Sequence, residues 1–257
     1  ELMHELERAG HTFRTRCDTE VLVHGYEQWG AKLWERLRGM FAVAVWDARA
    51  RTLTLARDRF GIKPLYYRDD AGELTFASEL DALPKGDVDL DALEGFLAFN
   101  VVPAPLSIFA GTFKLSPGHA LTWRDGLTTV ERYARTGPLP LRDDDEAELI
   151  EECRARLRDS VRAHLIADVP VGVLLSGGVD SGALTALAAE ESSEPVRTFS
   201  IGFEDRSFDE LDGARAVAQR YGTTHRELVL RPDATLLLAA LADAFDEPFA
   251  DSSALPT

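Results

Sequence analysis

Two hydrophobic patterns divide the chain near its middle. In the first half, short apolar runs are separated by turn residues. "MFAVAVWD" reads as a buried strand, "ARAR" as the turn after it and "TLTLARD" as the returning strand. "PLYYRD" and "ELTFASE" make a second pair around Asp69-Asp70-Ala71-Gly72. "FKLSPGHALTW" gives two extended pieces broken at Pro117-Gly118, and the proline-bearing "VVPAPLSIF" reads as loop. Short turns between strands imply mostly antiparallel pairing. Helical spacing of apolar residues predicts helices at about 1–9, 19–29, 31–37 and 89–98. Gly10 and Gly30 close the first two, and Asp18 stands where it can cap the second. Tyr66, Tyr67, Phe96 and Phe99 read as core.

A linker at about 134–146, "ARTGPLPLRDDDE", marks a shift in composition. Beyond it a helix is predicted at about 146–166, with Leu149, Ile150, Cys153, Leu157, Val161 and Leu165 on one broad face. Cys153 is therefore expected to be a core filler. Strands at about 170–175, 196–202 and 225–230 then alternate with helices at about 181–190, 209–221 and 234–245, which argues for a parallel, doubly wound sheet. The expected fold is an α+β domain over residues 1–135, its antiparallel sheets sandwiched by helices, followed by an α/β doubly wound domain over residues 146–257.

Composition narrows the function classes. The 257 residues carry a net charge of −16 with 45% hydrophobic residues, and the basic residues are scattered. Binding to nucleic-acid backbones or anionic membranes is not expected. Cys17 and Cys153 fit no metal-ligand spacing and no disulfide framework, so a reducing, cytoplasmic location is the default. The six histidines are dispersed in sequence and suggest no metal site. No apolar run is long enough to span a bilayer. Both termini are expected to be cut within a longer protein.

The candidate chemistry lies in "VGVLLSGGVDSGALTALAAE", residues 171–190. Gly177 and Gly178 lack a Cβ, so backbone N–H groups there can approach an anion closely. The following helix adds its positive end, and Ser176 and Ser181 add hydroxyls. This suits a pyrophosphate. Asp180 would repel phosphates unless a cation such as Mg²⁺ lies between them. No lysine follows the turn, which argues against a loop for γ-phosphoryl transfer and for one that holds a pyrophosphate leaving group. A plain capped strand–helix turn is the bland alternative.

"LLSGGVDSGAL" resembles the pyrophosphate loop of the ATP pyrophosphatase family, which splits ATP into AMP and pyrophosphate. Within that family the chain resembles the glutamine-dependent asparagine synthetases. "TFSIGFEDRSFDELDGARAVAQRYGTTHREL" and "DEPFADSSALPT" are similar to parts of their synthetase domain. "CDTEVLVHGYEQWG", "LRGMFAVAVWD", "LARDRFGIKPLYY" and "FASELDAL" are similar to their class II glutamine amidotransferase domain, an N-terminal-nucleophile type fold.

The resemblance implies roles for particular residues. Leu175 and Ile201 would flank the adenine of ATP, with backbone groups reading its edge. Ser176, Gly177, Gly178, Asp180 and Ser181 would hold pyrophosphate, with Mg²⁺ on Asp180. Asp18 would grip the α-amino group of glutamine. The position of the family's cysteine nucleophile would fall upstream of Glu1, and Cys17 does not match it by motif. Arg57-Asp58-Arg59 is a candidate ion pair, Gly61 and Pro64 shape a turn, and Asp246 and Glu247 either approach the nucleotide or end a helix before Pro248.

The implied reaction is glutamine-dependent, ATP-driven conversion of aspartate to asparagine through β-aspartyl-AMP, with ammonia as an alternative nitrogen source. Its partners are small molecules, with a homodimer as a possible assembly. Three alternatives stay open: adenylation of another carboxylate, a β-lactam-synthetase-like enzyme, and a module that binds nucleotide without turnover.

Overall fold

The computed structural model describes residues 1–135, 137, 142–203, 210–230 and 244–250. The chain forms two compact units, Glu1–Pro138 with Ala239–Asp251, and Leu139–Leu238 with Ser252–Thr257. Most of the helix expected at 234–245 and part of the linker lie outside the described residues.

The first unit is mixed α/β with two antiparallel sheets. It opens with helices α1 (Leu2–Arg8), α2 (Asp18–Trp29) and α3 (Leu33–Arg36). Strands β1 (Ala42–Asp47), β2 (Thr52–Arg57), β6 (His119–Arg124) and β7 (Leu127–Arg132) form one sheet in the order β1-β2-β6-β7. Strands β3 (Tyr66–Asp70), β4 (Glu73–Ala77) and β5 (Thr112–Lys114) form the other, ordered β4-β3-β5.

Strand β2 explains the layering. Leu53 and Leu55 pack with Leu65, Leu115 and Leu121 between the two sheets. Ala56, on the other face, joins Leu33, Trp34 and Leu37 of the helical layer. Thr54 shares that helical face, and its hydroxyl lies 3.3 Å from the Tyr26 hydroxyl of α2, so a buried polar group keeps a partner. Helix α4 (Leu90–Phe99) covers the second sheet through Ala92 and Phe96, packed with Leu80, Val102, Ile108 and Tyr66. Phe99 departs from expectation. It is the last helical residue and is 69% exposed.

Strand β7 is absent from the sequence reading. It pairs with β6 through a two-residue turn at Asp125-Gly126, both at positive φ. Asp-Gly is the usual signal for a tight hairpin turn of this hand. The β3–β4 hairpin uses the same device at Ala71-Gly72. The Trp123 indole N–H donates to the Gly72 carbonyl at 2.9 Å and ties the two sheets together near these turns.

The second unit begins with α5 (Glu146–His164), capped by Asp145, whose carboxylate accepts from the Ala147 amide. Strands β8 (Gly172–Leu174), β9 (Arg197–Phe203) and β10 (Thr224–Leu230) are parallel, ordered β10-β9-β8, and alternate with α6 (Val179–Glu191) and α7 (Leu211–Tyr221). Strands that advance steadily in one direction put right-handed crossover helices on one face. Thr198 and Ser200 on that face are buried, whereas Leu174 and Leu228 on the other are 72% and 57% exposed.

Among the described residues, it is the C-terminal end of α5 that joins a core: Val161 and Leu165 pack with Leu187 and Ala188 of α6. Cys153 is exposed, contrary to the expectation that it fills the core, because the apolar stripe through Ile150 and Leu157 is also largely exposed. Two arginines of α5 act across helices: Arg158 and Arg162 pair with Glu190 and Glu191 of α6.

Candidate functional site

The glycine turn follows β8 directly and leads into α6. Gly178 is the N-cap residue of that helix and carries no side-chain cap. The serines instead lock the turn onto itself. Ser181 Oγ lies 2.9 Å from Ser176 Oγ and donates to the Ser176 carbonyl at 3.0 Å, while the Gly178 amide donates to Ser176 Oγ. The first-turn amides of α6 therefore receive no hydroxyl or carboxylate from the expected cap residues, which removes the bland capping role. An uncapped helix start with its positive end toward solvent attracts anions. Asp180 is exposed in the first turn of α6. Its carboxylate and the two hydroxyls offer oxygen donors only, a set that fits a hard cation such as Mg²⁺.

Gly177 is where the backbone must be bare. A Cβ there would lie 2.8 Å from the Glu210 carbonyl oxygen, just ahead of α7. Gly213, in the first turn of α7, meets it from the other side: a Cβ on Gly213 would lie 3.0 Å from Gly177 Cα. The sequence reading missed Gly213, since nothing local distinguishes it from any helical glycine.

Leu175 is buried against Ala214 and Ala218. Its amide donates to the Phe199 carbonyl at 2.8 Å, and its carbonyl accepts from the Ser200 hydroxyl at 2.5 Å. Both backbone groups thus have internal partners, and the carbonyl keeps one further lone pair. Ile201 is half-buried near the carboxyl end of β9, in register with Leu228.

In the first unit, Asp18 is the first residue of α2, and the cap position falls to Cys17 without a side-chain bond. Asp18 is therefore not the N-cap. Among the described residues, its exposed carboxylate bonds to its neighbours, Cys17 Sγ and Thr19 Oγ1, each at 3.4 Å. Glu20 does the anchoring. Its carboxylate accepts from the Arg14 and Thr15 amides at 2.7 Å each and from the Thr15 hydroxyl at 2.5 Å. These bonds, the Thr15 hydroxyl first, hold the Glu20 carboxyl down at about 2.

Arg57-Asp58-Arg59 is not an ion-pair cluster. Asp58 is fully buried, and its carboxylate accepts from the amides of Phe41, Phe60, Ile62 and Lys63. Burial alone would raise its pKa, but these donors outweigh it and hold the carboxyl below its usual range. Arg57 donates to the carbonyls of Gly61, Lys63 and Leu115, and Arg59 to those of Glu35 and Leu37. Gly61 turns at φ 65°, with no room for a Cβ beside Pro117. Asp246 and Glu247 bond within the first unit, to Leu80, Asp81, Ile108 and Lys114. His11 and His24, dispersed in sequence, meet at 3.2 Å through their Nδ1 atoms, and His11 Nε2 also lies 3.0 Å from Gln28 Oε1.

Residues 1–134 match the family model for the glutamine amidotransferase domain, and residues 152–257 that for asparagine synthase. Through residues 1–134 the chain belongs to the glutamine amidotransferase domain family, and residues 152–257 are similar to asparagine synthase. The chain is 38% identical over 262 residues to asparagine synthetase (glutamine-hydrolysing) 1 of Bacillus subtilis, a match covering 100% of this chain and 41% of that protein. Against asparagine synthetase (glutamine-hydrolysing) 3 of the same organism it is 35% identical over 251 residues, covering 90% and 41%. The chain thus spans 41% of the length of these relatives. Among the described residues, no helix is long and apolar enough to cross a membrane.

Proposed function

We propose that the protein to which this chain belongs makes asparagine from aspartate, ATP and glutamine. The observation that carries this reading is the uncapped, glycine-bearing turn Ser176–Ser181 at the end of a parallel strand, in a stretch similar to asparagine synthase. In an open parallel sheet, ligands bind at the carboxyl ends of strands. The doubly wound fold follows from the same reading, with further helices covering the face that carries Leu174 and Leu228.

Each residue then has a task. The amides opening α6, with Gly177 and Gly178, cradle the β,γ-pyrophosphate of ATP, and the Ser176 and Ser181 hydroxyls add contacts. Leu175 and Ile201 border the adenine, where Leu175 has its remaining carbonyl lone pair to offer. Asp180 would hold Mg²⁺, whose charge would neutralise that of the phosphates and ease departure of pyrophosphate. The β-carboxylate of aspartate attacks the α-phosphorus, the bond to pyrophosphate breaks, and an acyl-adenylate results. A bare carboxylate is a poor acyl donor, whereas AMP is a good leaving group, so ammonia can then displace it.

In the amidotransferase half, Asp18 binds the α-amino group of glutamine. Its carboxylate is free of a capping bond, and the Glu20-anchored loop ahead of it fixes its place. Glutamine hydrolysis there supplies the ammonia. A cytoplasmic setting, small-molecule partners and a homodimer belong to the same reading.

The test is incubation of the full-length protein with aspartate, Mg-ATP and either glutamine or ammonium. AMP and asparagine are expected from both nitrogen sources. Absence of both products with either source would overturn the proposal.

A further inference from the structure

Asp246 and Glu247 lie in the stretch matched to asparagine synthase, yet they are built into the first compact unit. Asp246 Oδ2 accepts from the Leu80 amide at 2.6 Å and the Asp81 amide at 3.3 Å. These amides begin a single 3₁₀ turn, Leu80–Ala82, whose preceding residue Glu79 gives it no side-chain cap. The cap comes instead from a residue 166 positions away from Leu80.

Glu247 uses both carboxylate oxygens. Oε1 pairs with the Lys114 ammonium, and Oε2 accepts from the Ile108 amide at 3.3 Å. The Lys114 and Glu247 side chains are only 11% and 15% exposed. Lys114 also donates to the Val102 carbonyl at 2.6 Å, which fixes the ammonium in place. Phe249 forms an antiparallel bridge with Val101 and stacks on Phe245 with ring centroids 4.6 Å apart. The two acids also face Tyr66, whose phenol is pushed up to about 12, by burial first and then by these negative charges.

Withdrawing two carboxylates from water is unfavourable unless each meets well-placed donors. Here a 3₁₀ start, a loop amide and a lysine supply them from separate segments of the amidotransferase fold. A segment that merely rested on the surface would leave its charges in solvent.

We propose that Asp246 and Glu247 are positioning residues that couple the two activities, holding a length of synthetase-matched chain on the amidotransferase fold so that glutamine hydrolysis keeps step with adenylation. The proposal rests on the function inferred above. Neither residue is placed on a substrate.

The experiment uses the full-length protein with Glu247→Gln, Asp246→Asn, Lys114→Met and the exchanged pair Lys114→Glu/Glu247→Lys. Three quantities are read: AMP formed with ammonium, glutamate formed without ATP, and glutamate released per AMP with glutamine. The single variants are expected to keep the first two within about twofold while the third rises about fivefold, as loss of a modest coupling free energy would give. The exchanged pair should recover part of the wild-type ratio. An unchanged ratio in both Glu247→Gln and Asp246→Asn overturns the proposal. So does a loss of ammonium-dependent AMP formation equal to the loss with glutamine, which marks a folding role. A wild-type protein that forms no AMP with ammonium overturns the underlying function itself, a result distinct from either.

Discussion

Gly177 and Gly213 approach so closely that a Cβ on Gly213 would stand 3.0 Å from Gly177 Cα. The contact seats the glycine turn on the first turn of α7. On the Gly177 side a Cβ meets backbone, the Glu210 carbonyl oxygen at 2.8 Å, and backbone cannot swing away as a long side chain can. Gly177→Ala should therefore displace the turn. Overpacking of this kind costs about 1–3 kcal/mol, and roughly tenfold weaker ATP binding follows if that strain falls on the bound state. Gly213→Ala should weaken binding less. Calorimetric titration of ATP into each full-length variant checks the order; equal affinities for Gly177→Ala and wild type would contradict it.

The Glu20 carboxylate holds the loop that precedes Asp18 through Arg14 and Thr15. Glu20→Ala is expected to raise KM for glutamine about tenfold, with ammonium-dependent synthesis unchanged, because the effect is one of positioning. The pH dependence has a definite sign. The folded carboxyl titrates at about 2, below its ordinary value of 4.5. Its contribution is complete above the unfolded value and is lost as pH falls from there through about 2. Proteolytic nicking of the 14–17 loop should accordingly increase on acidification through that window in wild type, and be already high at neutral pH in Glu20→Ala.

Asp58 is a buried carboxylate held by four backbone amides. Asp58→Asn turns an amide NH₂ toward donors that need an acceptor, so unpaired polar groups remain in the core. Losses of this kind amount to about 2–4 kcal/mol. Thermal or urea unfolding should show the loss, with wild-type stability itself falling as pH drops below the ordinary carboxylate range through the depressed Asp58 value. A variant as stable as wild type would exclude the cage as a stabilising element.

Much of this architecture is legible in the sequence because its signals are local. The run "TLTLAR" gives the returning strand, and the strand–glycine–helix order gives the turn. Local signals also mislead. The stripe through Ile150, Cys153 and Leu157 has the spacing of a buried helix face but is largely exposed. Strand β7 was missed although Asp125-Gly126 announces its hairpin, because the run "LTTVER" is weakly apolar on its own. Two relationships had no local signal at all: the seat of Gly177 on Gly213, and the bonding of Asp246 and Glu247 to residues more than a hundred positions earlier. Each depends on donors or backbone brought together only by the tertiary fold.

Asp180→Ala should abolish AMP formation in the full-length protein with glutamine or ammonium, a loss of about a thousandfold or more if it removes the charge that neutralises departing pyrophosphate. Glutamine hydrolysis without ATP should persist, since Asp180 lies in the other unit. Surviving ATP cleavage would show that Asp180 does not hold the metal.

The most direct measurement is aspartate-dependent exchange of labelled pyrophosphate into ATP by the full-length protein, with Mg²⁺ present and no nitrogen donor. Reversible adenylation with pyrophosphate held at Ser176–Ser181 is expected to give exchange that needs aspartate, falls in Gly177→Ala and disappears in Asp180→Ala. ATP consumption yielding ADP and phosphate, with no aspartate-dependent exchange, would contradict it.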